Sequence, residues 1–146
     1  MCSRSRLTAL VLAVLPLLLA GCSRSGAAAP AGSPAHPAVE QAVAGADVVV
    51  EVHFRQPAGK DARWAIEPAR IEVPLGSRVA LVAANDEPLP HDLVIGEPYN
   101  QKTVLVRRGE KAAVVFTADR PTAGTPVWCS VPGHRELGME AVLVVR

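Results

Sequence analysis

The chain has 146 residues, 15 Lys+Arg against 14 Asp+Glu, and a formal net charge of +1. That is room for one domain, and a near-neutral chain without a basic stripe argues against a nucleic-acid partner. Two of the three cysteines, Cys2 and Cys22, lie at the N-terminus, which leaves Cys129 without a partner in the remainder of the chain.

Residues 1–21 read as a signal peptide. Arg4 and Arg6 precede an apolar run from Leu7 to Ala20, too short to span a bilayer as a mature helix. The run ends in Leu19-Ala20-Gly21-Cys22, which resembles the lipobox of bacterial lipoproteins. The resemblance implies cleavage before Cys22, lipid on its sulfur, and an extracytoplasmic protein anchored to the membrane through that lipid. Cys22 to Ala46 is dominated by Ala, Gly, Pro and Ser. It has little to bury, so the composition predicts a disordered tether over 22–46, with His36 a spectator.

From Asp47 the texture changes. DVVVEVHFR, WAIEPARIEV, SRVALVAAN, HDLVIG, TVLVRRG, EKAAVVFTA, TPVWCS and MEAVLVVR are short Val-rich runs bounded by Gly, Pro, Asn and Asp. None sustains a helical period. The pattern predicts an all-β domain over 47–146, a two-sheet antiparallel Greek-key sandwich of about eight strands.

Cys129, His134 and Met139 follow one another at intervals of five residues, between the end of one predicted strand and the start of the last. Pro132-Gly133 supplies a turn that aims His134 back over Cys129. A lone thiol in an oxidising compartment calls for a reason. A thiolate and a thioether are soft donors and imidazole is borderline, a mixture that favours copper and excludes calcium and magnesium. The candidate fourth donor is His91 in EPLPHDLVIG, where a Pro-rich turn enters a strand. Two histidines, a cysteine and a weak axial methionine match the trigonal blue copper arrangement.

Asn85 to Gly96 with His91, and the C-x4-H-x4-M run from Trp128 to Met139, resemble the cupredoxins, the small blue copper proteins, over residues 47–146. The resemblance is to members with the longer Cys–His interval, such as azurins, rusticyanins and sulfocyanins. It implies one type 1 copper per chain, with His91, Cys129 and His134 equatorial and Met139 axial. It also implies one-electron transfer without enzymatic turnover, in a monomer that meets redox proteins near His134. An apolar patch of Leu89, Pro90, Val131, Pro132 and Leu137 is expected around that histidine.

Asp92 departs from the pattern, since several relatives place Asn or Ser after the first histidine. Unless Asp92 points to backbone donors or is neutral, a carboxylate beside the thiolate favours oxidised copper and a lowered potential. His53 reads as structural, Trp128 as core or a wall of the site, and Arg107-Arg108 as a solvated hairpin end. The competing function is a copper carrier or chaperone supplying an oxidase. A single methionine after residue 21 speaks against such a Met-rich site.

Overall fold

The computed structural model describes residues 37–59 and 61–146. The expected signal peptide, the lipidated Cys22, His36 and most of the tether lie outside the described residues. The tether's C-terminal end is nevertheless ordered: Pro37–Ala44 form a helix, α1. Its Val39 is buried, and α1 packs over two strands, Arg78–Asn85 and Glu110–Thr117. The expectation of disorder as far as Ala46 is corrected there. Composition alone gave no sign that one apolar side chain of this segment has a surface to settle on.

Among the described residues nine strands follow: β1 Val48–Arg55, β2 Ala65–Glu67, β3 Arg70–Val73, β4 Arg78–Asn85, β5 Val94–Ile95, β6 Gln101–Lys102, β7 Glu110–Thr117, β8 Thr122–Trp128 and β9 Glu140–Val145. They form two sheets, ordered β2-β1-β4-β7 and β3-β9-β8-β5-β6. The architecture is the expected β-sandwich, but its sheets are mixed rather than antiparallel. β1 runs parallel to β4, and β3 parallel to β9. The run WAIEPARIEV explains this. It breaks at Pro68-Ala69, and the chain passes from β2 in the first sheet to β3 in the second.

Phe54, Ile66, Ile71, Leu81, Leu93, Ile95 and Leu143 fill the space between the sheets. β4 departs from simple alternation, with every residue from Val79 to Asn85 buried. Its Val79, Leu81 and Ala83 face the core, while α1 packs on the sheet outside. A strand covered on both faces reads as a continuous apolar run.

TVLVRRG is not a strand. Only Val106 pairs, in an isolated bridge with His91, and its buried residues are Thr103 and Val106. That spacing of three leaves Val104 and Leu105 exposed. Arg107 and Arg108 are exposed as expected.

Candidate metal centre

Each donor is fixed by a different piece of backbone. Cys129 directly follows β8, where alternation turns Val127 and Cys129 inward and leaves Trp128 half-buried on the other face. Trp128 is therefore not core. Arg135 lies over its ring at 4.7 Å. His134 sits after the Pro132-Gly133 turn, closed by the His134 amide donating to the Val131 carbonyl at 3.1 Å. Gly133 has φ +84°, the left-handed position that a type II turn requires. Two further amides tie the loop: Met139 donates to the His134 carbonyl and Cys129 to the Met139 carbonyl, both at 3.1 Å.

His91 is held from the opposite side. Its amide donates to the Val106 carbonyl (3.0 Å), and the Val106 amide donates back at 2.7 Å. The buried Asn85 side chain spans the same region, with Nδ2 donating to the carbonyls of Leu89 (2.8 Å) and Val106 (2.9 Å).

Three of the four predicted donors converge. His91 Nδ1 lies 3.1 Å from His134 Nδ1, and Cys129 Sγ lies 3.8 Å from the first and 3.5 Å from the second. Among the described residues this is the one cluster of three or more His, Cys, Asp or Glu donors within mutual reach. A point equidistant from the three atoms is about 2.0 Å from each, close to transition-metal bonds to imidazole nitrogen (about 2.0–2.1 Å) and thiolate (about 2.3 Å). His91 and Cys129 are fully buried and His134 is 7% exposed. Met139 is fully buried in the same core cluster as Cys129.

The electrostatics suit a cation. Burial, reinforced by the neighbouring His134, pushes His91 down to about 4, with Asp92 acting in opposition. Burial likewise lowers His134. Both imidazoles are therefore neutral at neutral pH, as ligands must be. Burial raises the Cys129 thiol and the Asp92 carboxylate adds to the rise, although the backbone N–H groups of Asp92 and Val131 act in favour of its thiolate. His91 Nε2 is buried without a hydrogen-bond partner. A thiol that would give up its proton on binding and two neutral imidazoles in a buried triangle fit a soft or borderline transition metal.

Both Asp92 carboxylate oxygens are engaged by Ser130. Its Oδ1 accepts from the Ser130 amide at 2.6 Å and its Oδ2 from the Ser130 hydroxyl at 2.7 Å. Lys102 Nζ lies 3.1 Å from the same Oδ2. Burial opposes ionisation of Asp92, but the Ser130 bonds and Lys102 outweigh it and hold its carboxyl below the usual range. Asp92 thus meets a backbone donor and a counter-cation, and the negative charge that it sets against the Cys129 thiolate is offset by Lys102.

Two aromatic walls escaped the sequence reading. Phe54 stacks on His91 with centroids 4.8 Å apart. Trp64 stands edge-on to both histidines, 4.7 Å from His134 and 6.0 Å from His91. Phe54 was legible only as a strand residue, and Trp64 lies about 70 residues from its partner. His53 stays away from the site, its Nε2 3.4 Å from Glu51. Of the expected patch, Leu89 and Leu137 are the well-exposed leucines and Val131 is half-buried.

No family model matches the chain. No curated protein matches its sequence either. Solved structures do match in fold. Auracyanin B superposes with a TM-score of 0.57 at 21% identity, over 69% of this chain and 90% of that one. Auracyanin A, titled a "blue" copper protein from the green thermophilic photosynthetic bacterium Chloroflexus aurantiacus, gives 0.52 at 20% identity, over 67% of this chain and 99% of that one. The chain has the cupredoxin fold. A structure titled multicopper oxidase also matches, with a TM-score of 0.54 at 12% identity, over 69% of this chain and 45% of that one. The cupredoxin sandwich thus holds the three converging donors of this chain at one pole. Among the described residues no helix is long and apolar enough to cross a membrane.

Proposed function

We propose that this chain is a blue copper protein that carries single electrons outside the cytoplasm. The observation that carries the reading is the convergence of His91 Nδ1, His134 Nδ1 and Cys129 Sγ in a buried triangle. Met139, buried in the same core cluster and tied by backbone bonds to Cys129 and His134, would be a fourth residue holding the metal. Copper bound there would supply one-electron chemistry, since a trigonal set of two imidazole nitrogens and one thiolate sulfur suits neither Cu(I) nor Cu(II) alone and little has to move between them.

The protein's part is to hold the donors still. The bridge to Val106 fixes His91, the chain of amides from Val131 to Met139 fixes His134 and Cys129, and Phe54 and Trp64 exclude water. Redox proteins are proposed to meet the domain at the His134 pole, where Leu89 and Leu137 are exposed. The Cys22 lipid anchor belongs to the same reading and rests on the N-terminal sequence. Copper delivery fits less well, because release to a recipient calls for donors that the recipient can reach, and His91 and Cys129 are fully buried.

The test is a titration of the protein with Cu(II) followed by reduction. One equivalent gives intense blue absorption that ascorbate bleaches and air restores, and Cys129→Ser abolishes it. A colourless protein that takes only Cu(I) or zinc overturns the reading.

A further inference from the structure

The sequence places a carboxylate next to a ligand histidine, and the structure supplies its counter-charge from another strand. Asp92 follows His91, Ser130 follows Cys129, and Lys102 belongs to β6 at the edge of the second sheet. Lys102 Nζ reaches Asp92 Oδ2 at 3.1 Å and Ser130 Oγ at 2.8 Å. The Asp92 side chain is only 5% exposed, whereas that of Lys102 is 56% exposed. The carboxylate is therefore poorly screened by solvent; Ser130 hydrogen-bonds it, but among the described residues Lys102 is the cation paired with it, and removing Lys102 exposes the ligand pair to an uncompensated negative charge. With Asp92 spanning the backbone beside two ligands, that charge acts at short range through protein.

We propose that Lys102 is a positioning and charge-compensating residue that sets the redox equilibrium of the metal centre through Asp92. It touches neither the metal nor a ligand. With Lys102 present, the Asp92–Lys102 pair is neutral and favours neither oxidation state strongly. Without it, the Asp92 charge stabilises the more positive Cu(II) and lowers the potential. A unit charge within about 10 Å, acting through an effective dielectric of about 20, is worth roughly a tenfold change in such an equilibrium. Tenfold in a one-electron couple is about 59 mV. Salt reduces the effect of the exposed ammonium. The inference rests on the copper reading, and deepens it by naming what tunes the centre.

The experiment is a potentiometric titration of the copper-loaded full chain at low and high salt. Lys102→Met is expected to shift the equilibrium about tenfold toward Cu(II), while Lys102→Arg retains the wild-type value. Asp92→Asn is expected to shift it the opposite way. The double variant, with both charges gone, returns close to wild type, so the two single effects compensate. Lys102→Met at the wild-type potential overturns the proposal, as do single variants that shift in the same direction, the mark of loosened structure. Urea unfolding of the metal-free variants gives a second readout. Lys102→Met is expected to lose stability there, because it leaves the buried Asp92 carboxylate without its cation, and the double variant is expected to recover that loss. A loss that the double variant does not recover makes Lys102 a structural clamp and overturns the tuning role. Absence of the blue band in the wild-type protein refutes the copper reading, whereas a blue protein with an unmoved potential refutes only this inference.

Discussion

The indole of Trp64 stands edge-on to the imidazole of His134, ring centroids 4.7 Å apart at an interplanar angle of 70°. The contact joins the loop before β2 to the ligand loop, and the Trp64 amide strengthens it by donating to the Leu137 carbonyl at 2.9 Å. Edge-to-face aromatic pairs contribute about 0.5–1.5 kcal/mol beyond the area they bury. Trp64→Leu is expected to destabilise the metal-free protein by about 2 kcal/mol, with Trp64→Phe recovering most of the loss. Urea midpoints decide the matter. Equal losses for Leu and Phe would show that bulk of the indole, and not its ring geometry, is what counts.

Gly138 makes this approach sterically feasible. It has φ +106°, and a Cβ there would lie 2.8 Å from the Trp64 carbonyl oxygen. Gly133 also has a positive φ, +84°, but nothing lies within 4 Å of its added Cβ. Gly133→Ala therefore incurs backbone strain alone, about 1–2 kcal/mol. Gly138→Ala adds a clash with backbone that cannot rotate aside, and is expected to lose about 3 kcal/mol or more. Chemical denaturation of the two variants side by side measures the difference. Equal losses would mean that the segment carrying Trp64 moves away freely.

The ligand loop was the most legible part of the chain because its chemistry is local. Cys129, His134 and Met139 share one turn whose Pro-Gly pair dictates its shape, and the fold follows from short Val-rich runs and their breakers. His91 was found through its surroundings in EPLPHDLVIG. What stayed hidden depends on distant partners. Trp64 and Phe54 meet the histidines only after the sheets pack, and Lys102 meets Asp92 across the β5–β6 edge. The parallel pairing of β1 with β4 and of β3 with β9 depends on where the chain changes sheets, which no local period encodes. TVLVRRG has strand composition, but its pairing reduces to one bridge, so composition outran topology there.

Asn85 is the least obvious support of the site. Fully buried at the end of β4, it donates to Leu89 and Val106 and accepts from the Glu87 amide at 2.9 Å, bracketing His91 on both sides. Asn85→Ala leaves buried carbonyls with fewer partners, a loss of about 2–3 kcal/mol. Because it loosens the anchorage of one ligand, copper affinity is expected to fall about 10-fold or more. Competition with a chelator measures the affinity and urea melts the stability. A variant that loses stability but keeps full affinity would confine Asn85 to folding.

The two histidines give the metal-free protein a defined acid sensitivity. His91 is held at about 4, against 6.5 in the unfolded chain, chiefly by burial. Between those values the unfolded state binds a proton that the folded state refuses, so folding stability is complete above about pH 6.5 and falls as the pH drops toward 4. The full shift corresponds to at most about 3 kcal/mol. His134, also lowered by burial, acts with the same sign. Unfolding free energies of the metal-free protein at pH 7, 6, 5 and 4 should therefore decline across that window. His91→Gln, which removes the titrating group, should flatten the decline. A wild-type curve level from pH 7 to 4.5 would show that the folded protein accepts the proton after all, by opening the His91 loop to water.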